Sequence, residues 1–261
     1  MHSIKVERPM EWETCNIYPL ADWHIGDKHC DMDGINAQIQ RVADDPYGLA
    51  LLNGDLLNTA LKSSVSDIYS EQAKPMEQVL TLIGLLKPIA GKIIGADTGN
   101  HEERIYREDG IDIMRLVCRE LEIEDKYHPN GALIFLRFGA IQSHHASEGI
   151  KRRLFTIYFT HGTGSGRKEG AKAIRLADLA ATVDADVYVH SHTHLPMIFT
   201  ESYFRTNAGN SSVQEVEKLF VNTGASLQFG GYGQRNEFKP AARRMPVIHL
   251  HAQSGMATST L

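Results

Sequence analysis

The sequence predicts an α/β protein in which a two-layer β sandwich is flanked by helices. Up to residue 130, short apolar runs alternate with segments of helical periodicity, which is typical of a sheet with crossover helices. Beyond residue 130 strand-like runs dominate, and one sandwich accommodates both halves. A chain of 261 residues is within the range of one large domain, so we predict a single domain spanning residues 1–261.

The first half carries the alternation of strands and helices. Residues 48–57 form a nearly continuous apolar run, as expected of a strand buried on both faces. Residues 33–44 have apolar side chains at helical spacing, and Asp33 could cap this helix. Pro88 ends the following helix, because proline cannot continue one. The predicted strands are 14–22, 48–57 and 92–96, and the predicted helices are 33–44, 76–86 and 112–121.

The second half is rich in strands and contains one helix, at 169–182, with an apolar face that includes Ile174 and Leu176. The segment 230–244 is rich in glycine and basic residues, and we predict a surface loop there. We expect the tail after Ala252 to be disordered. The predicted strands are 132–138, 154–160, 187–190, 197–204, 218–222 and 246–251.

The bulk composition is that of an ordinary globular protein. Hydrophobic residues make up 42% and charged residues 23%, which provides enough apolar material for a sizeable core. The three cysteines, Cys15, Cys30 and Cys118, are odd in number and far apart, which indicates a reducing compartment. The N-terminus lacks an apolar signal core, and no apolar run approaches the ~20 residues that cross a bilayer. We therefore expect a cytoplasmic protein without a membrane partner.

Five short polar patterns occur along the chain, each directly after an apolar strand candidate. Singly, each pattern is common in turns or on solvated strands. Their joint appearance indicates one site, because side chains at strand ends can converge in a cleft. The patterns are Asp22-Trp23-His24, Gly54-Asp55-Leu56-Leu57-Asn58, Gly99-Asn100-His101-Glu102, His161-Gly162 and Ser191-His192-Thr193-His194.

The residue types and spacings of these patterns predict a metal site. Residues i and i+2 of an extended chain point the same way, so Asp22 and His24 can reach one ion together. His192 and His194 share that spacing, although their turn could send them to neighbouring ions. Asp55, with two carboxylate oxygens, is suited to bridge two ions ~3.5–4 Å apart.

Imidazole, carboxylate and amide ligands favour transition metals over calcium. We expect two divalent ions, with manganese as first choice and iron, zinc, nickel, cobalt or magnesium as alternatives. No cysteine lies in any of the patterns, which argues against a structural zinc site built on thiolates.

The ordered set of motifs resembles the calcineurin-like metallophosphoesterase superfamily. The pattern of that superfamily is Asp-x-His, Gly-Asp, Gly-Asn-His-Asp/Glu, His and Gly-His-x-His, and the resemblance covers residues 22–194. It implies a four-layer αββα sandwich, with two mixed β-sheets packed together and flanked by helices. The compact size and the glycine-rich loop after His161 are similar to those of phosphoesterases encoded by phages and prophages.

The resemblance also implies roles for individual residues. One metal would be held by Asp22, His24, Asp55 and His194, and the other by Asp55, Asn100, His161 and His192. His101 would stand beside the leaving group as an acid or as a stabiliser of the phosphate. The predicted catalytic residues are therefore His101 and the bridging Asp55, and Asn100 is predicted to contact substrate as well as metal.

Two positions complicate the last motif. Ser191 stands where the superfamily usually has glycine, although serine is small enough for the turn to survive. His190 precedes the pair at i, i+2 spacing, so three histidines compete for two ligand roles. We favour His192 and His194 as ligands, and we expect His190 to lie in the core or behind the ligands.

Several other polar residues allow two interpretations. The loop at 163–168 ends in Arg167 and Lys168 and is either a solvated loop or a lid that contacts substrate phosphate, because arginine binds phosphate by a fork. Glu102, Glu103 and Arg104 form an exposed ion-pair cluster, unless Arg104 turns toward the site. We expect a structural role for one histidine pair late in the chain. A second pair, of adjacent histidines, either lies in a solvated turn or contacts substrate. These pairs are His249 with His251 and His144 with His145.

The predicted activity is hydrolysis of phosphodiester bonds, of nucleotides or nucleic acid, by attack of a metal-activated hydroxide. A phosphomonoesterase acting on a small molecule or phosphoprotein is the alternative, and a metal-stabilised scaffold without turnover is a further one. The net charge of −5 provides no global basic field of the kind that nucleic-acid binding proteins show. Metal ions add positive charge locally, so a mildly acidic chain can still take an anionic substrate.

Overall fold

The computed structural model describes residues 1–9, 11–64, 68–139, 153–164, 166–240 and 242–261. Within these residues the chain forms two β-sheets with helices on their outer faces. The strands are β1 Ser3–Arg8, β2 Thr14–Leu20, β3 Gly48–Asn53, β4 Ile93–Asp97, β5 Ala132–Phe138, β6 Arg153–Thr160, β7 Val187–His190, β8 Met197–Asn207, β9 Ser212–Asn222, β10 Val247–His251 and β11 Ala257–Thr260.

The helices lie mostly in the first half of the chain. They are α1 Met32–Asp44, α2 Pro75–Leu86, α3 Asn100–Asp109, α4 Ile113–Glu120, α5 Glu169–Ala177, α6 Leu179–Thr182 and α7 Gly231–Arg235, with short 3-10 helices at Ile68–Ser70, Lys87–Lys92 and Glu124–Lys126. In the part of the chain that the structure describes, no helix is both long and apolar enough to cross a membrane.

Both sheets mix parallel and antiparallel pairs. The six-stranded sheet has the order β1-β5-β6-β7-β9-β8, and the five-stranded sheet the order β11-β10-β2-β3-β4. β2, β3 and β4 run parallel in one sheet, and β6, β7 and β9 run parallel in the other. Parallel strands end at the same edge of a sheet, and this edge carries the polar patterns.

Three apolar clusters separate four layers. Inward-facing residues of both sheets, such as Leu51 and Phe159, form the cluster between the sheets. A second cluster joins α1, α2 and α4 to the other face of the five-stranded sheet, through residues such as Ile35 and Val117. The third packs Leu176 of α5 on the outer face of the six-stranded sheet. The predicted αββα sandwich is therefore confirmed.

Several element predictions were wrong in detail. Asp31, and not Asp33, caps α1, because its carboxylate accepts a hydrogen bond from Gly34 N. The tail expected to be disordered contains β11, which pairs with β10 along the sheet edge. The expected loop at 230–244 contains the short helix α7, and Ile174 on the expected apolar face of α5 is 63% exposed.

Candidate metal centre

The predicted ligands lie where the parallel strands end, and most of them have a left-handed backbone. Five non-glycine residues of the site have positive φ, namely Asp22 (51°), His24 (51°), Asp55 (49°), His192 (64°) and His194 (55°). A β-carbon makes this conformation unfavourable by ~1–2 kcal/mol per residue, and such strain persists only where surrounding contacts enforce it. β2 already ends at Leu20, so the extended geometry expected of Asp22 and His24 was wrong.

Two glycines of the motifs allow the loops to approach closely. Gly54 has a φ of 72°, and a β-carbon there would lie 2.6 Å from Gly99 N. A β-carbon on Gly99 would lie only 2.1 Å from Asp55 Oδ1. The loop after β3 and the loop before α3 therefore touch through their backbones, which brings Asp55 next to the start of α3.

One group of candidate ligands consists of Asp22, His24 and His194, whose ligand atoms all lie within 4.8 Å of one another. His194 Nε2 lies 3.3 Å from Asp22 Oδ1 and 3.2 Å from His24 Nε2. Asp22 Oδ1 is buried and has no hydrogen-bond partner among the described residues. A buried carboxylate oxygen facing two imidazoles without a partner fits a cation between them.

A second group consists of Asp55, His161 and His192. His161 Nδ1 lies 2.9 Å from the carbonyl of Asn53, and because a carbonyl only accepts, Nδ1 must carry the proton. Nε2 is then the nitrogen that a metal ion could take; it lies 3.2 Å from Asp55 Oδ2 and has no hydrogen-bond partner within the described chain. This is the tautomer of a metal-binding histidine whose other nitrogen is fixed by a carbonyl.

Asp55 joins the two groups. It is 1% exposed, and besides the second group it belongs to a third one, with His24 and His101. Its Oδ1 accepts a hydrogen bond of 2.8 Å from His101 N, whereas its Oδ2 faces His161. A carboxylate that lies between His24 and His161 is positioned to serve both halves of a two-metal site.

The electrostatics of the cluster also fit a cation. Burial alone would raise the pKa of Asp55, but the charges of His161 and His101 hold it well below its usual value. Burial likewise would lower the pKa of His161, and the charge of Asp55 instead raises it well above its usual value. In the metal-free pair His161 is therefore protonated at Nε2 as well, and this second proton lies against Asp55, at the place that a metal ion would take.

Glu102 is a support of the site that the sequence analysis misjudged. It is 1% exposed, so its assignment to an exposed ion-pair cluster was wrong. Its carboxylate accepts hydrogen bonds from the backbone nitrogens of Asp55 (3.1 Å), Leu57 (2.8 Å) and Gly99 (3.0 Å). Burial raises its pKa to about 7. Arg104 turns toward the site, with Nη1 3.5 Å from the carbonyl of Asn58.

Asn53 and Ser191 support His161 from the ends of their strands. The Asn53 amide donates a 2.5 Å hydrogen bond to Ser191 Oγ, while the Asn53 carbonyl accepts from His161. Ser191 stands where glycine is usual, and its hydroxyl therefore serves as the hydrogen-bond acceptor that holds Asn53. Asp97 Oδ2 accepts a 2.6 Å hydrogen bond from His161 N and holds the same residue by its backbone.

His190 lies behind the ligand pair. Its Nδ1 is 2.8 Å from Asn222 Oδ1, and His190 is in none of the groups formed by the described residues. Asn222 also donates to Thr193 Oγ1, within the turn that carries His192 and His194. The next residue, Thr223, donates to Asp22 Oδ2 at 3.1 Å. Asn222 is the last residue of β9 and Thr223 follows it, a position that marks them as parts of this strand-end cluster.

His101 faces the cluster from the first turn of α3. Its Nδ1 lies 3.0 Å from the carbonyl of Asn58, so Nδ1 carries the proton, and Nε2 is 3.9 Å from Asp55 Oδ2. Burial lowers the pKa of His101 to about 4. Asn100 is the first residue of α3, and its side chain is exposed beside His101.

Arg167 and Lys168 lie outside the histidine–aspartate groups and are exposed. The Arg167 guanidinium lies 5.2 Å from the ring centroid of Phe238, and Lys168 directly precedes α5. His144 and His145 fall outside the described residues. His249 bonds to Asn16 Oδ1 through Nδ1 at 2.8 Å, within the sheet.

Comparisons with known proteins found only distant similarity. No protein-family model matches the chain, and no curated protein matches it. A metallophosphoesterase from Sphaerobacter thermophilus is 14% identical, with a TM-score of 0.41, over 94% of this chain and 87% of that one. A conserved uncharacterised protein of Streptococcus pneumoniae TIGR4, a predicted phosphoesterase, is 14% identical, with a TM-score of 0.36, over 95% and 97%.

A Vps29 double mutant from Entamoeba histolytica is 12% identical, with a TM-score of 0.35, over 94% of this chain and 97% of that one. Likeness at this level does not establish a common activity. The resemblance to phage-encoded enzymes gains no support from it. The chemistry of the site must therefore be inferred from the arrangement of its own residues.

Proposed function

We propose that this chain is a dinuclear metal-dependent phosphoesterase of the calcineurin-like type, which hydrolyses phosphodiester bonds of nucleotides or nucleic acid. The observation that carries the proposal is the pair of largely buried histidine–aspartate groups, Asp22 with His24 and His194 and Asp55 with His161 and His192, which a third group of His24, Asp55 and His101 connects. In a structural core, burying carboxylate oxygens and imidazole nitrogens without partners would be unfavourable. In a two-metal site the same atoms would be the metal ligands.

The proposed ligands around Asp55 are imidazole nitrogens and carboxylate or amide oxygens. Asp22, His24 and His194 would hold one ion, and His161, His192 and the amide of Asn100 the other, with Asp55 shared. When bound, two such divalent ions, with manganese as first choice, polarise a phosphate and lower the pKa of a water. Asn53 and Asp97 keep His161 in place, and Thr223 does the same for Asp22.

His101 would act on the phosphate beside the metal pair. Its protonated Nδ1 is held by the Asn58 carbonyl, so the ring keeps Nε2 directed toward Asp55. Because the neutral ring carries its one proton on Nδ1, Nε2 would have to take up a second proton, with the anionic phosphate beside it, before giving that proton to the leaving oxygen. The proposed role of His101 differs from that of a ligand, because neither of the two proposed ligand sets includes it.

The proposal is tested with a metal-supplemented activity panel. Chelator-treated protein is reloaded with each divalent metal and assayed on bis-p-nitrophenyl phosphate, p-nitrophenyl phosphate, cyclic nucleotides and single-stranded DNA. We expect hydrolysis of diesters to exceed that of monoesters, and Asp55→Asn to abolish it. A preference for p-nitrophenyl phosphate would make the protein a phosphomonoesterase. No hydrolysis of any ester with two ions bound would leave a metal-stabilised scaffold.

A further inference from the structure

Two basic segments, residues 167–175 and 235–244, contact each other next to the metal centre. The guanidinium of Arg167 lies 5.2 Å from the ring centroid of Phe238, and Lys239 forms a 2.9 Å ion pair with Glu169. The nearest ends of the two segments are 60 positions apart in sequence, so that only the fold brings them together. We call the surface that they form the basic rim.

The basic rim concentrates positive charge in an acidic protein. Each segment holds four basic residues and one acidic residue, whereas the chain as a whole carries a net charge of −5. Most of these cations are exposed to solvent, namely Arg167, Lys168, Arg235, Lys239, Arg243 and Arg244. A local field of this kind attracts polyanions even though the net charge of the chain does not.

Both segments are attached to the residues that build the metal centre. Lys172 Nζ donates a 2.7 Å hydrogen bond to the carbonyl of Thr193, between His192 and His194. On the other side, a β-carbon on Gly224 would lie 2.5 Å from the carbonyl of Arg244, and Gly224 follows the Thr223 that bonds Asp22. The basic rim is therefore held against the turns that present the candidate ligands.

The basic rim includes aromatic surface as well as cations. Phe238 and the Arg167 guanidinium form a paired platform. Phe229, earlier in the same stretch of chain, is 51% exposed. Phe238 is half-buried, and a partly exposed ring beside a cation is the combination on which an unpaired base can stack while the cations contact backbone phosphates. A small phosphorylated metabolite needs no such extended surface.

We infer that the basic rim binds single-stranded nucleic acid and presents its backbone to the metal centre. This inference rests on the proposed phosphodiesterase function and assigns its substrate class. Arg167 and Lys168 contact phosphates, and the Arg167–Phe238 platform takes a base. Duplexes are disfavoured because their bases remain stacked on one another and cannot reach the platform.

The test is equilibrium binding in chelator, where no cleavage occurs. Fluorescence anisotropy of a labelled oligothymidylate is measured against salt for the full-length protein, for Arg167→Ala with Lys168→Ala, and for Phe238→Leu. We expect the double variant to reduce the slope of log affinity against log salt by about 1.4, since each phosphate contact on a single strand contributes ~0.7. Loss of a stacking ring should weaken binding roughly tenfold.

Matched controls are Lys5→Ala on β1 and Arg119→Ala in the last turn of α4, which remove exposed cations outside the basic rim. Equal effects of controls and rim variants would overturn the inference, as would equal affinity for a duplex of the same length. Weakening by Arg167→Ala with Lys168→Ala but not by Phe238→Leu would overturn the stacking role and leave a general polyanion surface.

The two proposals fail in distinguishable ways. If the wild-type protein hydrolyses bis-p-nitrophenyl phosphate but rim variants bind oligothymidylate as wild type does, the inference about the rim alone is wrong. If the wild-type protein hydrolyses no ester with metals bound yet binds oligothymidylate through the rim, the phosphodiesterase proposal is wrong and the rim is a nucleic-acid binding surface.

Discussion

Two histidine pairs with the same i, i+2 spacing occupy different environments in this protein. His192 and His194 lie in a turn, both with positive φ, and each belongs to a group that contains an aspartate. His249 and His251 lie on the regular strand β10 and, among the described residues, belong to no such group.

The difference lies in the partners of the ring nitrogens. His249 contacts Asn16 Oδ1 through Nδ1 (2.8 Å) and Thr260 Oγ1 through Nε2 (3.0 Å). In contrast, His192 Nδ1 is buried without a hydrogen-bond partner within the described residues. Spacing alone therefore does not define a metal site; nitrogens left without partners beside a carboxylate do.

The largest effect should follow from Asp55, the residue that we propose both metal ions share. Asp55→Asn keeps an oxygen for the hydrogen bond from His101 N but removes the charge that both groups use. We expect metal content to fall from about two ions per chain to less than one, and turnover to fall by more than the ~10²-fold typical of outer partners. Elemental analysis of reloaded protein measures the first quantity. Two ions retained by the variant would contradict the shared role.

The difference between the two histidine pairs can be tested directly by substitution. We expect His192→Ala to lose about one ion per chain, because it removes a ligand of the group around Asp55, and His249→Ala to lose none. Metal analysis and the metal-induced rise in melting temperature should change only in the first variant. A loss of metal from His249→Ala would mean that the i, i+2 spacing alone is enough to predict metal binding.

A third expectation separates catalysis from ligation. His101→Ala should lower turnover by ~10²–10⁴-fold with little loss of metal, if His101 acts on the reacting phosphate as we propose. His190→Gln serves as a buried control that should retain metal too, because His190 is tied to Asn222 instead of to the ligands. If His101→Ala loses an ion, the group of His24, Asp55 and His101 is a binding site and its assignment here is wrong.

The smallest expected effect concerns stability. Burial, followed by the charges of His251 and Arg41, lowers the pKa of His249 from 6.5, so the folded chain binds fewer protons there than the unfolded chain. The free energy of unfolding should therefore decrease as pH falls through 6.5. His249→Gln lacks this pH-dependent contribution. In urea unfolding with chelator, the free energy of unfolding of the wild type should therefore exceed that of His249→Gln by more at pH 7.5 than at pH 5.5. An identical difference at both pH values would disprove the linkage.

The sequence was most informative where chemistry and strand ends coincide. The ordered motifs predicted the sandwich, and the ligand types predicted a cluster around Asp55. The backbone of that cluster was not predictable, because propensities give no reason for Asp22 or His194 to take positive φ. The surrounding hydrogen bonds impose it, such as those that Asp22 Oδ2 accepts from His192 N and Thr223.

Other misses have equally local reasons. The start of α3 lies in a motif for which we predicted no helix, although Glu102 three residues after Gly99 has the spacing of a capping box. β11 is a run of small polar residues that becomes a strand only because the edge of β10 offers it hydrogen bonds. Contacts between distant segments, such as Arg167 with Phe238, leave no signal in a single sequence.

The left-handed backbone of the site has a consequence for protein engineering. Glycine adopts positive φ without the ~1–2 kcal/mol that a β-carbon adds there. A random library screened only for heat resistance in chelator would therefore accumulate glycine at His192 and His194, which are partly exposed. If His192 and His194 are metal ligands as we propose, the most heat-resistant clones would have lost activity, and directed evolution of this protein would need an activity screen from the first round.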